Sequence, residues 1–243
     1  MRVLVTCEYD GGKYFGWQKQ VNEISVQSTI ENIISKILNC PTVIHGSGRT
    51  DAGVHAHGQT FHFDINKTVD INQLLYSCNC LLPKDIRLKS IVEVDDDFHA
   101  RISAKEKTYV YRIKIGKSNV FEYPYVEEIL VPFDEEKFAR SLSLFVGEHD
   151  FRNFTSKEEE EGFSFVRHIY DINIEKEKDI ISISLNGNGF MRYMIRFIVG
   201  TCIAFAKGQI DEEYILSRID SKDRKISCYK ANSKGLFLKE VKY

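Results

Sequence analysis

Proline is scarce in this chain, 4 residues in 243, and glycine, at 15, is in ordinary supply. Neither a collagen repeat nor a Pro- and Gly-rich disordered chain can be built from that stock. No two cysteines stand in a CxxC pair; the six lie at 7, 40, 78, 80, 202 and 228 on apolar faces. That spacing suits neither a zinc site nor a disulfide framework, and the expectation is reduced core cysteines. Long apolar runs are absent too. The most apolar stretch, residues 197–206, follows Arg192 and Arg196, and a bilayer needs about twenty apolar residues, so it is expected to be a buried helix and no membrane is expected as a partner. The opening MRVLVTCEYDGG reaches Glu8 too soon for the apolar region of a signal peptide, and a cytoplasmic location is expected. Net charge is also missing: 33 Lys and Arg face 35 Asp and Glu, for −2 overall. Bulk electrostatics therefore gives no reason to expect nucleic acid.

What is present is an ordinary globular composition, 43% hydrophobic and 28% charged, long enough for one large domain or two of about a hundred residues. The charges are segregated. Residues 98–117 hold Arg101, Lys105, Lys107, Arg112, Lys114 and Lys117 against Glu106 alone, and residues 186–208 hold Arg192, Arg196 and Lys207 with no acid. Acids gather instead at 95–97, 122–136 and 158–161. Such a chain can show one basic face to a phosphate backbone while staying neutral overall, although a charge run also fits a merely solvated face.

Alternation of Val3, Val5, Cys7 and Tyr9 against Leu4, Thr6 and Glu8 predicts a half-buried strand over 2–9. Helical spacing of Val26, Ile30, Ile33, Ile34, Ile37 and Leu38 predicts a helix over 26–39 with Ser25 as its cap. The same reasoning predicts strands over 43–45, 59–63, 86–94, 108–115, 164–175, 179–186 and 236–241. Helices are predicted over 71–82, stopped by Pro83, and over 135–146, 191–206 and 212–219. Strands interleaved with helices in both halves imply an α+β protein of two similar units sharing a largely antiparallel sheet, with domains over 1–104 and 105–243.

The unusual segment is GSGRTDAGVHAHGQ, residues 46–59. Its glycines at 46, 48, 53 and 58 allow close approach of backbone to a ligand, and small neighbours leave room around the carboxylate of Asp51, which the adjacent Arg49 favours in its charged form. The same residues fit a turn in which Asp51 only caps backbone amides. His55, His57 and His62 suggest a metal-dependent hydrolase built with Asp51, but no third or fourth ligand stands at a sensible spacing, so no metal is expected. The GxG at 46–48 lacks the continuation of a Walker or dinucleotide loop, and no small-molecule cofactor is expected.

The segment GRTDAGVHAHGQ resembles the signature of the TruA-type tRNA pseudouridine synthases (tRNA pseudouridine 38-40 synthases). Further matches run along nearly the whole chain in the same order: EYDG at 8–11, YFGWQ at 14–18, Val26-Gln27, Leu82-Pro83, DFHAR at 97–101, KTYVYR at 107–112, NGFMRYMIRFIVG at 188–200 and GLFL at 235–238. The resemblance implies the pseudouridine synthase fold and isomerisation of uridine at positions 38, 39 and 40 of the tRNA anticodon arm, by a homodimer. It makes Asp51 the catalytic carboxylate, Tyr109 the aromatic that packs on the target base, Arg196 the partner of the aspartate, Arg49 a second active-site arginine, and Leu236 and Leu238 apolar wall residues. By pattern alone Tyr109 fits equally a core tyrosine on an alternating strand. Arg196 stands on an otherwise apolar helix, where an unpaired guanidinium would cost several kcal/mol, so it must have a partner. An RNA-binding module of the same fold without activity is the alternative, against which four intact site residues argue. The chain departs from the family pattern at Ser47, at Ala56-His57 and in the acidic segment 157–162, where an RNA-facing loop would be neutral or basic.

Overall fold

The computed structural model describes all 243 residues. In chain order the elements are β1 (Arg2–Tyr9), α1 (Val26–Leu38), β2 (His45–Gly46), β3 (His55–Asp64), α2 (Ile71–Leu81), β4 (Ile86–Val94), β5 (Glu106–Ile115), β6 (Glu127–Ile129), α3 (Glu135–Ser143), β7 (Gly147–Asp150), β8 (Val166–Glu177), β9 (Ile180–Gly187), α4 (Met194–Ala206), α5 (Glu212–Leu216) and β10 (Leu236–Lys242). They form two compact units, one made of Met1–Lys105 with Phe237–Tyr243, the other of Glu106–Leu236.

In the first unit β1 lies between β3 and β4, antiparallel to both, so Val5 stands opposite Phe61 on one side and Ile91 on the other. The alternation along β1 sends Val3, Val5, Cys7 and Tyr9 inward. Val26, Ile30, Ile34 and Leu38 of α1 are likewise fully or almost fully buried; burying such a side chain contributes about 1.5–3 kcal/mol. Helix α1 begins at a Ser25 and Ser28 capping box and ends at Asn39, which adopts the left-handed conformation with φ 49°. Strand β10 joins this sheet parallel to β3, with Phe237 opposite His55 and Leu238 opposite Ala56. The last strand therefore packs with the N-terminal unit, unlike the linear division at 104.

In the second unit β9 is antiparallel to β5 and β8, β7 is antiparallel to β8, and β6 runs parallel to β5. Helices α3 and α4 pack on each other. Along α4 every residue but Arg196 is buried, which is why the stretch looked apolar all round. Its one buried hydroxyl, Thr201, donates to the Phe197 carbonyl at 2.7 Å and shares a hydrogen bond with Ser227 at 2.7 Å. No helix is long and apolar enough to cross a membrane.

Three local expectations are corrected. β3 starts at His55, four residues ahead of the expected strand, because Ala56 pairs with Tyr9 and His55 with Phe237. Strands β6 and β7, with the polar sequences EEI and GEHD, carry no strand pattern and exist through pairing with β5 and β8. Cys40, Cys80 and Cys228 are exposed, and only Cys7, Cys78 and Cys202 belong to the core. Burial pushes the Cys78 thiol up to about 11 and Cys202 up to about 12.

Candidate active site

Residues 47–54, between β2 and β3, carry Arg49 and Asp51. This loop is held from two sides. On one side Gln59 of β3 accepts from the Ser47 hydroxyl at 2.8 Å and donates to the Gly48 carbonyl at 3.1 Å, while Ser47 N–H donates to the Thr60 carbonyl at 2.8 Å. On the other side the segment 11–17 lies along it: Gly53 N–H donates to the Tyr14 carbonyl at 3.3 Å and Trp17 N–H to the Thr50 carbonyl at 3.1 Å. Tyr9 and Thr50 share a buried hydroxyl hydrogen bond of 2.8 Å.

Glycine is required twice in that supporting segment. Gly16 has φ +84°, and a Cβ there would stand 2.5 Å from the Thr50 carbonyl oxygen and 3.0 Å from the carbonyl carbon of Asp51. A Cβ on Gly11 would stand 2.0 Å from the Val54 carbonyl oxygen. Both contacts are with backbone that cannot swing away, so any side chain would displace the loop that bears Asp51.

The support is itself anchored. The first N–H groups of α1 donate to the carbonyls of Gly16 (3.2 Å) and Trp17 (3.0 Å), two of the donors a helix start leaves free. Gln27 accepts from Lys19 N–H at 3.0 Å and donates to Glu31 and to the Ile44 carbonyl, both at 3.0 Å. Trp17 is buried between Tyr9 and Phe61, with ring centroids 6.1 and 5.8 Å away. Tyr14 donates to Asp85 at 2.6 Å, and burial first, then that carboxylate, pushes its phenol well above the ordinary range. The role of EYDG, YFGWQ and Val26-Gln27 is thus to hold the loop, a function that no residue-type argument exposed; the glycines flanking an aromatic pair were the available signal.

On this fixed backbone Asp51 is half-buried and Arg49 exposed. Leu238 is buried on β10, opposite Ala56 and so beside the base of the same loop. His55 and His57 both stack on Phe237, at 4.7 and 5.2 Å, and His55 Nδ1 accepts from Gly11 N–H at 3.1 Å. No group of three or more His, Cys, Asp or Glu side chains is placed to hold a metal ion.

In the second unit Tyr109 is buried on β5 and meets the edge of Phe190 at 5.4 Å. Arg196, half-buried on α4, donates through Nε to the Ala231 carbonyl at 2.8 Å. Its charge also acts on Tyr111, whose phenol is raised by burial and by Glu127. Three cations surround Tyr193: Arg192 at 4.8 Å, Arg196 at 5.2 Å and Lys230 at 4.5 Å from the ring centre. The basic run of the sequence at 186–208 is thus a real cluster, completed by a lysine from far along the chain.

In the other basic run Arg101, Lys105 and Lys117 are exposed, but one member is not. Lys114 is buried, with its ammonium 3.0 Å from Glu122 and 2.9 Å from Asp179; it neutralises acids of its own unit and is not available to phosphate. In the acidic segment 157–162 two acids are paired, Glu159 with Arg152 at 3.7 Å and Arg224 at 4.0 Å, and Glu160 with Lys157.

Against known proteins, the family profile described as tRNA pseudouridine synthase matches residues 6–102 and 142–243. The chain belongs to that family. It is similar to the tRNA pseudouridine synthase A of Shewanella piezotolerans, 36% identical over 250 residues that cover all of this chain and 93% of the other. To those of Thermoanaerobacter sp. strain X514 and Caldicellulosiruptor saccharolyticus it is 37% and 39% identical, with 99% of each chain covered. Among solved structures it matches a chain of a Cbf5-Nop10-Gar1 complex at a TM-score of 0.43 and 14% identity, over 84% of this chain and 44% of that one. As a tRNA pseudouridine synthase the protein is an isomerase.

Proposed function

We propose that this isomerase converts uridine to pseudouridine at positions 38, 39 and 40 of the tRNA anticodon arm, with Asp51 as the catalytic carboxylate. In the reaction the C1'–N1 bond breaks, the uracil turns while held, and a C1'–C5 bond forms. N1 gains a proton and C5 gives one to water, so no electrons and no imported group are involved. One carboxylate that labilises the glycosidic bond, as nucleophile or as base, is enough for that balance.

The observation that supports the assignment is the double anchoring of loop 47–54. A half-buried carboxylate stands on backbone fixed by Gln59 on one side and by residues 11–17 on the other. Such fixing is what a catalytic group needs and what a solvated turn does without. In this reading Arg49, Tyr109, Arg196 and Leu238 hold the substrate, Tyr109 by packing on the target base, and the cations around Tyr193 take phosphates. The protein works as a homodimer in the cytoplasm, and sedimentation at twice 28.1 kDa checks the dimer.

Asp51→Asn tests the assignment, since it keeps the size and hydrogen-bonding shape of the side chain while removing charge and basicity. With a tRNA transcript tritiated at uridine C5, we expect tritium release below detection and unchanged tRNA retention. Turnover within tenfold of the parent overturns the assignment, because an Asp that merely caps backbone is replaced well by Asn.

A further inference from the structure

Segment 13–24 does more than brace the loop, for it carries three large apolar side chains into solvent: Phe15 is 53% exposed, Val21 87% and Ile24 67%. Their backbone is not loose. Phe15 N–H donates to the Ile24 carbonyl at 3.0 Å, and the Gln20 amide donates to the Phe15 carbonyl at 3.0 Å. A bridge between Gln20 and Glu23 closes the turn around Asn22. On either side of Phe15, Tyr14 and Trp17 are buried.

Phe15 also has a defined place relative to Asp51. The two backbone bonds between segments 14–17 and 50–53 join Tyr14 to Gly53 and Trp17 to Thr50. Phe15 falls between them, next to Gly16, where an added Cβ would stand 3.0 Å from the Asp51 carbonyl carbon. An aromatic side chain is thus mounted on hydrogen-bonded backbone that runs along the loop bearing Asp51, and about half of it is open to solvent. Lys13 and Lys19, on the same segment, are paired with Asp85 at 3.6 Å and Glu31 at 3.2 Å, so the apolar side chains and not these cations are the free chemistry of the segment. An exposed aromatic ring on a fixed backbone is the chemistry of a surface that stacks nucleic-acid bases.

We infer that Phe15, with Val21 and Ile24 beside it, is a substrate-binding surface that covers the base left unstacked when the target uridine swings out toward Asp51. The inference rests on the proposed role of Asp51. A uridine leaving a helical stem exposes the faces of its neighbours, and a rigid ring at the mouth of the site restores one stacking contact at little entropic cost. Specificity follows in kind: the surface takes a flat base and is indifferent to which.

The test compares the parent, Phe15→Ala and Phe15→Tyr in steady-state tritium release from an unmodified tRNA transcript, with thermal melting of each protein. We expect Phe15→Ala to raise KM about tenfold with kcat within twofold, the size of one lost base–aromatic stack. Phe15→Tyr should match the parent in both constants, and all three proteins should melt within about 2 °C of one another because the ring is solvent-exposed. An unchanged KM for Phe15→Ala overturns the inference, as does a Phe15→Tyr as impaired as Phe15→Ala, or a marked loss of Tm. A parent that releases no tritium overturns the reading of Asp51 instead, so the two failures are distinguishable.

Discussion

Acidification should weaken this protein through one side chain, His62, well before its carboxylates titrate. His62 is 3% exposed on β3, its Nδ1 accepting from Ala100 N–H at 3.1 Å. The rings of His45 and His99 lie 5.0 and 4.7 Å away, Phe98 meets it edge-on, and Arg2 adds a positive charge. Burial, then His99, His45 and Arg2, lower its pKa from 6.5 to about 4, with Asp64 opposing. A lowered value means the unfolded chain takes the proton first. The stability this neutral ring contributes is complete above pH 6.5, is lost as pH falls from 6.5 toward 4, and falls no further below that. Linkage over the 2.5 units gives a loss of about 2 kcal/mol between pH 7 and pH 5, or a fall in Tm of about 4–8 °C for a chain of this size. Asp64, held below the ordinary carboxylate range by Arg2, acts in a separate window below pH 4. The assay is urea unfolding of the parent and of His62→Gln at both pH values. The parent should lose about 2 kcal/mol more than the variant, which has an amide oxygen for Ala100 and nothing to titrate. Equal losses would refute the argument that buried, mutually repelling imidazoles set the acid limit.

Two further outcomes concern the supports of the site and the buried Lys114. Gly16→Ala places a Cβ 2.5 Å from the Thr50 carbonyl at a φ of +84°; kcat for tritium release should fall more than tenfold with tRNA retention preserved, and an unchanged kcat would show that the loop can yield without moving Asp51. Lys114→Met leaves Glu122 and Asp179 facing each other without their shared cation; Tm should fall while KM for tRNA stays constant, and a raised KM at the parental Tm would return Lys114 to the RNA surface.

Much of the first unit was legible locally. β1 and α1 are encoded by period and cap, with no partner needed to recognise them: Val3, Val5, Cys7 and Tyr9 alternate, and Ser25 precedes a one-sided apolar helix. β6 and β7 were not legible, because Glu127 and Glu148 have no strand preference of their own and are extended only by the hydrogen bonds of neighbouring strands. The basic residues show the same split. Arg192, Arg196 and Lys114 look alike in sequence, yet two of them cluster with Lys230 around Tyr193 and the third is consumed by Glu122 and Asp179.

By itself the sequence determined the chemistry on offer: one carboxylate amid small residues in GRTDAG, a family-wide set of motifs around it, and apolar patterns strong enough to place most helices and strands. Tertiary structure alone decided which of those motifs support the carboxylate. Gly11, Gly16, Trp17 and Gln27 lie between 24 and 40 residues from Asp51 in sequence, and only folding brings their backbones within hydrogen-bonding or contact distance of its loop or of the segment that braces it. The physical reason is that period and propensity act over a few neighbouring residues. The position of a loop is set by long-range hydrogen bonds and excluded volume, which no local pattern records.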